Sequence, residues 1–107
     1  MIDFNDVVDK RCEFVKEVLQ KKAKEYARGG DRFHNFNEAA KILNTTPEKA
    51  LRAFMVKHEV SVIDLIEKAN DYTFKKDVSC ELIEEKIGDM INYLILLEGL
   101  LKKRLDE

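Results

Sequence analysis

The chain has one proline, four glycines and two cysteines in 107 residues, and little excess of charge of either sign. Each shortage excludes something. No stretch alternates apolar and polar residues over a useful length, so strands are not expected and the chain reads as all-α. Cys12 and Cys80 lie far apart and form neither a CxxC pair nor a metal-ligand spacing, which leaves two reduced thiols. The longest apolar run, Tyr93 to Leu97, is far shorter than the ~20 residues a membrane-crossing helix needs. The opening Met-Ile-Asp-Phe-Asn-Asp lacks the basic region and apolar run of a signal peptide, so a cytoplasmic protein without a membrane partner is the default expectation. A net charge of -2 and a pI of about 5.8 supply no positive field for a nucleic acid polymer. Free nucleotides stay open as ligands, because a few local cations or a bound metal suffice for them.

What is present is an apolar content of 45% beside 37% charged residues, a composition that folds. The length suits one domain, residues 1–107. A chain of this size buries a modest fraction of its surface, and long helices gain when a second subunit covers their apolar stripes. From Phe4, the positions Val7, Val8, Val15, Val18, Leu19 and Tyr26 recur at helical spacing, and Gly29 and Gly30 end that helix. The segment from Arg28 to Phe36 reads as a loop, followed by a short helix from about Asn37 to Leu43. Asn44-Thr45-Thr46-Pro47-Glu48 is a helix start, with a threonine cap, proline in the first turn and glutamate at the positive end. The third helix runs from about Pro47 to Ala69, residues 70–77 read as irregular, and Ser79 caps a last helix reaching Leu105. The expectation is therefore a compact helical bundle of three long helices and one short one.

The last helix is the most informative segment. At about 100° per residue, Ile83, Ile87, Met90, Leu94, Leu97 and Leu101 form one continuous stripe. Leu82, Asp89, Tyr93, Leu96 and Leu100 cluster on the other side, with Glu85 and Asn92 beside them. A helix apolar on two sides is central in its bundle or shared with a partner. Asp89 among apolar neighbours requires a metal, a cationic side chain or a raised pKa. Glu85 lies one turn earlier on the same face, and a divalent cation between the two carboxylates would turn repulsion into binding. Hard oxygen ligands of this kind suit magnesium or manganese. The plainer account is a solvated Glu85 and an Asp89 paired with a lysine.

On the third helix, His58 falls within the apolar stripe, as a satisfied core histidine does, with Lys57, Ser61 and Asp64 forming a polar edge that faces the last helix across a shared cavity. Asp64 is a third candidate carboxylate or the partner of Lys57. In the loop, Arg28 and Arg32 are candidates for phosphate contacts, since guanidinium meets two oxygens at once. Phe33 and Phe36 are candidates to stack on a base while Asn35 reads its polar edge, although Phe36 fits better as an anchor of the loop, and His34 as a spectator.

Lys24-x-Tyr26 with Phe36, the segment from Met55 through Lys57, His58 and Ser61 to Asp64, and the run from Glu85 through Asp89 and Asn92 to Tyr93 together resemble a family. It is the nucleotide-modification-associated domain of small phage and bacterial proteins, itself similar to the MazG-like all-α nucleoside triphosphate pyrophosphohydrolases. The resemblance spans roughly residues 20–101, and its most specific part is Asp89 followed by Tyr93 and a leucine-rich run. It implies a MazG-like bundle, commonly a dimer or tetramer, that binds a nucleotide through Mg2+ on helix carboxylates. Asp89 matches the final aspartate of the family pattern and Tyr93 the tyrosine after it. Lys86 stands where a glutamate is expected, with Glu85 adjacent, and Lys57, His58 and Ser61 replace the first carboxylate group. If the family reaction is retained, magnesium held by Asp89 with Glu85 or Asp64 would organise the phosphates and activate water, and Arg28, Arg32 or Lys57 would offset developing charge. His58, Ser61, Asn92 and Tyr93 would line the nucleotide site. A phage-encoded chain would act in the host cytoplasm. The alternatives are a non-catalytic nucleotide binder and a plain helical interaction module.

Overall fold

The computed structural model describes residues 1–21 and 30–107. Among them the chain is mostly helical, with no strand. Helix α1 spans Phe4–Lys16 and continues as a π-helical turn, Glu17–Lys21. Next come α2 (His34–Leu43), α3 (Pro47–Lys68), the single turn α4 (Phe74–Asp77) and α5 (Cys80–Leu105). No described helix is long and apolar enough to cross a membrane.

The helix starts follow from short polar side chains. Asp3 Oδ1 accepts from the Asn5 amide, Thr46 Oγ1 from the Lys49 amide and Ser79 Oγ from the Leu82 amide, each satisfying a donor that the first turn leaves unpaired. Pro47 occupies the first turn of α3, where its missing N–H costs nothing. Asn44 closes α2 in the left-handed region, at φ 54°, and Gly30 also has positive φ, at 79°. The expected end of the first helix at Gly29, and Tyr26 before it, lie outside the described residues.

Two boundaries differ from the sequence pattern. Helix α2 begins at His34 instead of Asn37, because Asp31 Oδ1 accepts from the Phe33 amide and turns the chain early. Residues 70–77 are not wholly irregular. Asp71 Oδ1 accepts from both the amide and the hydroxyl of Thr73, and the turn they form leads into α4.

Helices α3 and α5 share the largest interface and run antiparallel, with Glu48 at the start of α3 against Arg104 at the end of α5. Arg104 meets Glu48 with two parallel bonds, Nε to Oε2 at 2.7 Å and Nη2 to Oε1 at 2.8 Å. Near this end Phe36, Leu51, Met55 and Leu100 form the apolar core, with Phe33, Met90, Tyr93, Leu96 and Leu97 packed around them. Phe36 sits in it as the anchor its position suggests, tilted on Phe54 and edge-on to Tyr93 at centroid distances of 6.0 and 6.1 Å.

The molecule is not compact. Its radius of gyration is 16.2 Å and its extents are 48 × 27 × 25 Å, against about 13 Å for a globular chain of this length. Leu100 is 4% exposed, whereas Ile83, Leu94 and Leu101 on the opposite stripe of α5 are 37%, 47% and 50% exposed. Of the stripe with the most regular apolar spacing, Met90 and Leu97 reach the core while Ile83, Leu94 and Leu101 stay largely exposed.

Candidate functional site

The site begins with a missing side chain. Gly88 is buried midway along the first half of α5, and a Cβ there would stand 2.5 Å from Arg11 Nη1 of α1. The glycine thus makes room for the guanidinium, whose Nη2 donates to the Glu84 carbonyl oxygen at 3.0 Å. Lys10 Nζ lies 3.0 Å from Glu84 Oε2, and this hydrogen bond raises the Lys10 pKa. Both cations also flank the Phe14 ring, at 5.6 Å for Lys10 and 5.5 Å for Arg11.

Between α1 and α5 this arrangement leaves a cavity of about 310 Å³, lined by Arg11, Phe14 and Val18 on one side and by Glu81, Glu84, Glu85, Gly88, Asp89 and Asn92 on the other. The lining includes four acidic residues and one arginine. An anion entering such a space needs a cation with it. The Asn92 Oδ1 atom is buried and has no hydrogen-bond partner. A buried carbonyl without a donor costs about 1–3 kcal/mol.

Asp89 also reaches α3. Its Oδ2 lies 3.5 Å from His58 Nδ1, a contact that becomes an ion pair when the imidazole is protonated. The His58 ring rests on Tyr93 at 4.8 Å between centroids. Burial, and secondarily the Asp89 charge, push the Tyr93 phenol above its ordinary 10.0. The expected cavity between α3 and α5 is thus replaced by direct contact of His58 with Asp89 and Tyr93, and the open space lies between α1 and α5.

The candidate residues separate into three groups. Glu85, Asp89 and Asn92 line this cavity, and His58 and Tyr93 adjoin it through Asp89. Lys57 and Asp64 are exposed on α3 outside its lining, and Ser61 Oγ donates to the Lys57 carbonyl oxygen at 3.3 Å. The loop residues also stand outside the lining. Arg32 Nη1 donates to the Leu19 carbonyl oxygen of the π-helical turn at 3.2 Å, and Asn35 is exposed. Phe33 abuts α5, its Cζ 3.0 Å from where a Gly99 Cβ would be, with Lys103 Nζ 5.9 Å from its ring centroid. That is the anchoring alternative to base stacking. Arg28 lies outside the described residues.

Sequence reasoning missed Arg11, Phe14 and Gly88. The spacing of Arg11, Phe14 and Val18 on one face of α1 carried a signal, as did a lone glycine inside a strongly helical stretch. Among the described residues no group of three or more His, Cys, Asp or Glu side chains is placed to hold a metal ion. Asp64 does not join Glu85 and Asp89 at the cavity. Of the three carboxylates expected to share a metal, Glu85 and Asp89 are the two that line the cavity. Glu85, 63% exposed at its side chain, is open to a partially hydrated ion, with Lys86 Nζ 3.8 Å away. No family model, curated protein or solved structure matches the chain.

Proposed function

We propose that this chain is a nucleotide-binding helical protein that takes its ligand, together with a divalent cation, into the cavity between α1 and α5. The observation that carries this reading is the buried, unpartnered Asn92 Oδ1 in a cavity that also holds Glu85, Asp89 and the Phe14 ring. An amide acceptor beside an aromatic face suits a base bearing an exocyclic amine. The carboxylates suit Mg2+, or Mn2+, bridging to phosphates. When bound, the ion would neutralise phosphate charge and polarise the phosphoanhydride. Arg11 would then meet a phosphate oxygen on the α1 side.

Binding is favoured over hydrolysis because, of the four carboxylates that line the cavity, Glu84 is paired with Lys10 and Asp89 faces His58, which leaves fewer free than the set the resembled pyrophosphohydrolases use. The test is a panel of nucleoside triphosphates with and without magnesium, reading both binding and pyrophosphate release. The expected result is magnesium-dependent binding without turnover, weakened about tenfold or more by Asp89→Asn. Magnesium-dependent pyrophosphate release lost in Asp89→Asn would assign the chain to the hydrolases instead. Absence of binding for the whole panel would remove the nucleotide reading.

A further inference from the structure

We infer that α1 is a lid over the cavity, pivoting on the π-helical turn Glu17–Lys21 and latched to α5 through Glu84. Helices α2, α3 and α5 each commit apolar side chains to the core, whereas α1 and its π-helical turn bury none. Phe4, Val7 and Val8 are 75%, 48% and 45% exposed, and Phe14 and Val18 border open space in place of a packed partner. A helix held without buried apolar area sits at the low end of local stability and opens before the rest of the fold.

The latch consists of contacts that water can replace. Among the described residues, both polar ties from α1 to α5 end on Glu84, Arg11 Nη2 on its carbonyl oxygen and Lys10 Nζ on its carboxylate, each at 3.0 Å. The Lys10 side chain is 61% exposed, and an ion pair in such a position contributes little. The carbonyl belongs to the hydrogen-bond ladder of α5, so release of the guanidinium leaves no orphaned acceptor. Gly88 offers no side chain to hold Arg11 in its notch. The other end of α1 is fixed. A π-helical turn interrupts the regular ladder and is a place where helices bend. Arg32 Nη1 ties the Leu19 carbonyl oxygen of that turn to the segment entering α2, which Phe36 anchors in the core. Release at Glu84 therefore swings α1 away from Glu81, Glu85, Asp89 and Asn92 and widens the entrance, while α3 and α5 stay packed.

The chain carries its own reporters, since its two cysteines are both exposed, Cys12 on α1 and Cys80 in the first turn of α5. Spin labels on this pair, read by pulsed electron paramagnetic resonance on the free protein, give the distance distribution across the lid. Leu19 to Cys12 is a lever of about 10 Å, so a swing of about 30° moves the label by about 5 Å. The parent should show two distances, the longer one gaining weight as salt is raised. Lys10→Glu, with helicity checked by circular dichroism, sets an acid against Glu81 and Glu84 and should move most of the population to the longer distance. Adding Glu84→Lys to it should bring the shorter distance back. Gln20→Cys paired with Glu98→Cys, in a Cys12→Ser, Cys80→Ser background, marks the pivot and should keep one distance throughout. One unchanged Cys12–Cys80 distance in the parent, at high salt and in Lys10→Glu would overturn the inference. So would a Lys10→Glu shift that the charge swap leaves in place, or a pivot pair that lengthens as much as the lid pair. As control of access the inference rests on the ligand reading, but the motion is read without ligand. A moving α1 in a chain that binds no nucleotide removes the ligand reading alone, and a fixed α1 in a chain that binds one removes the lid alone.

Discussion

Helices α3 and α5 are used differently along their length. Toward the start of α3, Phe36, Leu51, Met55 and Leu100 meet in a dry cluster closed by the Glu48–Arg104 pair. Toward the middle of the same pair of helices, the contacts turn polar, with His58 on Asp89 and Tyr93, an Asn92 carbonyl lacking a donor, and Arg11 in the notch at Gly88. The dry end supplies the transfer of apolar surface out of water. The polar stretch holds groups that would be better solvated than buried, and stability alone does not explain them. One end keeps the helices together, and the other is available for chemistry.

The largest expected effect lies at the dry end. Leu51 is fully buried, and Leu51→Ala should lower the unfolding free energy by about 2–5 kcal/mol in a urea titration. A loss below about 1 kcal/mol would mean that the two stretches do not differ in the way their packing suggests. Asn92→Leu goes the other way. Removing a buried acceptor without a partner should stabilise the chain by about 1 kcal/mol while abolishing magnesium–nucleotide binding. If the variant is destabilised, the amide is satisfied in solution and the polar stretch is structural.

Smaller effects sharpen the boundary. The hydrogen bonds from Arg104 hold Glu48 below its ordinary 4.5, so their contribution is fully present above that pH and is lost as pH falls through the lowered value. Arg104→Ala should therefore melt slightly below the parent near neutral pH, and the two melting curves should converge in acid. An equal gap at every pH would assign the loss to packing of the arginine stem. The smallest effect is spectroscopic. The Tyr93 phenol should titrate above 10.0, and Asp89→Asn should bring it part of the way back, since burial is the larger cause of the shift. A full return would make Asp89 dominant, and no change would separate it from Tyr93.

Much of the architecture was legible because capping chemistry is local. Thr46 and Ser79 start the helices they precede, and the all-α class and the extent of α3 and α5 follow from apolar spacing. What was not legible was which side of α5 the core would choose. The stripe with the cleaner periodicity gives the core only Met90 and Leu97, whereas Leu100, Tyr93 and Leu96 of the other side pack inward with them, because the partners Phe36, Leu51 and Met55 come from distant segments that spacing within one helix cannot reveal. The same limit applies to the site. Glu85, Asp89 and Asn92 could be placed on neighbouring faces of one helix, and they do line one cavity. Arg11 and Phe14, on a helix more than 70 residues away, could not be paired with them from sequence. Asp64 shares the polar character of the set but lies exposed on α3, outside the lining.

Position 88 also acts as a size gauge. A Cβ there would stand 2.5 Å from the Arg11 guanidinium, which is the flexible end of a long side chain. A methyl group there gains about 1 kcal/mol of helix propensity over glycine and is accommodated by a swing of the arginine, so the fold has little to lose. The volume between α1 and α5 does change. A graded series of alanine, serine and valine at this position would step the aperture down without altering any acid or amide that meets a ligand, and the largest guest still admitted at each step would measure the cavity from within.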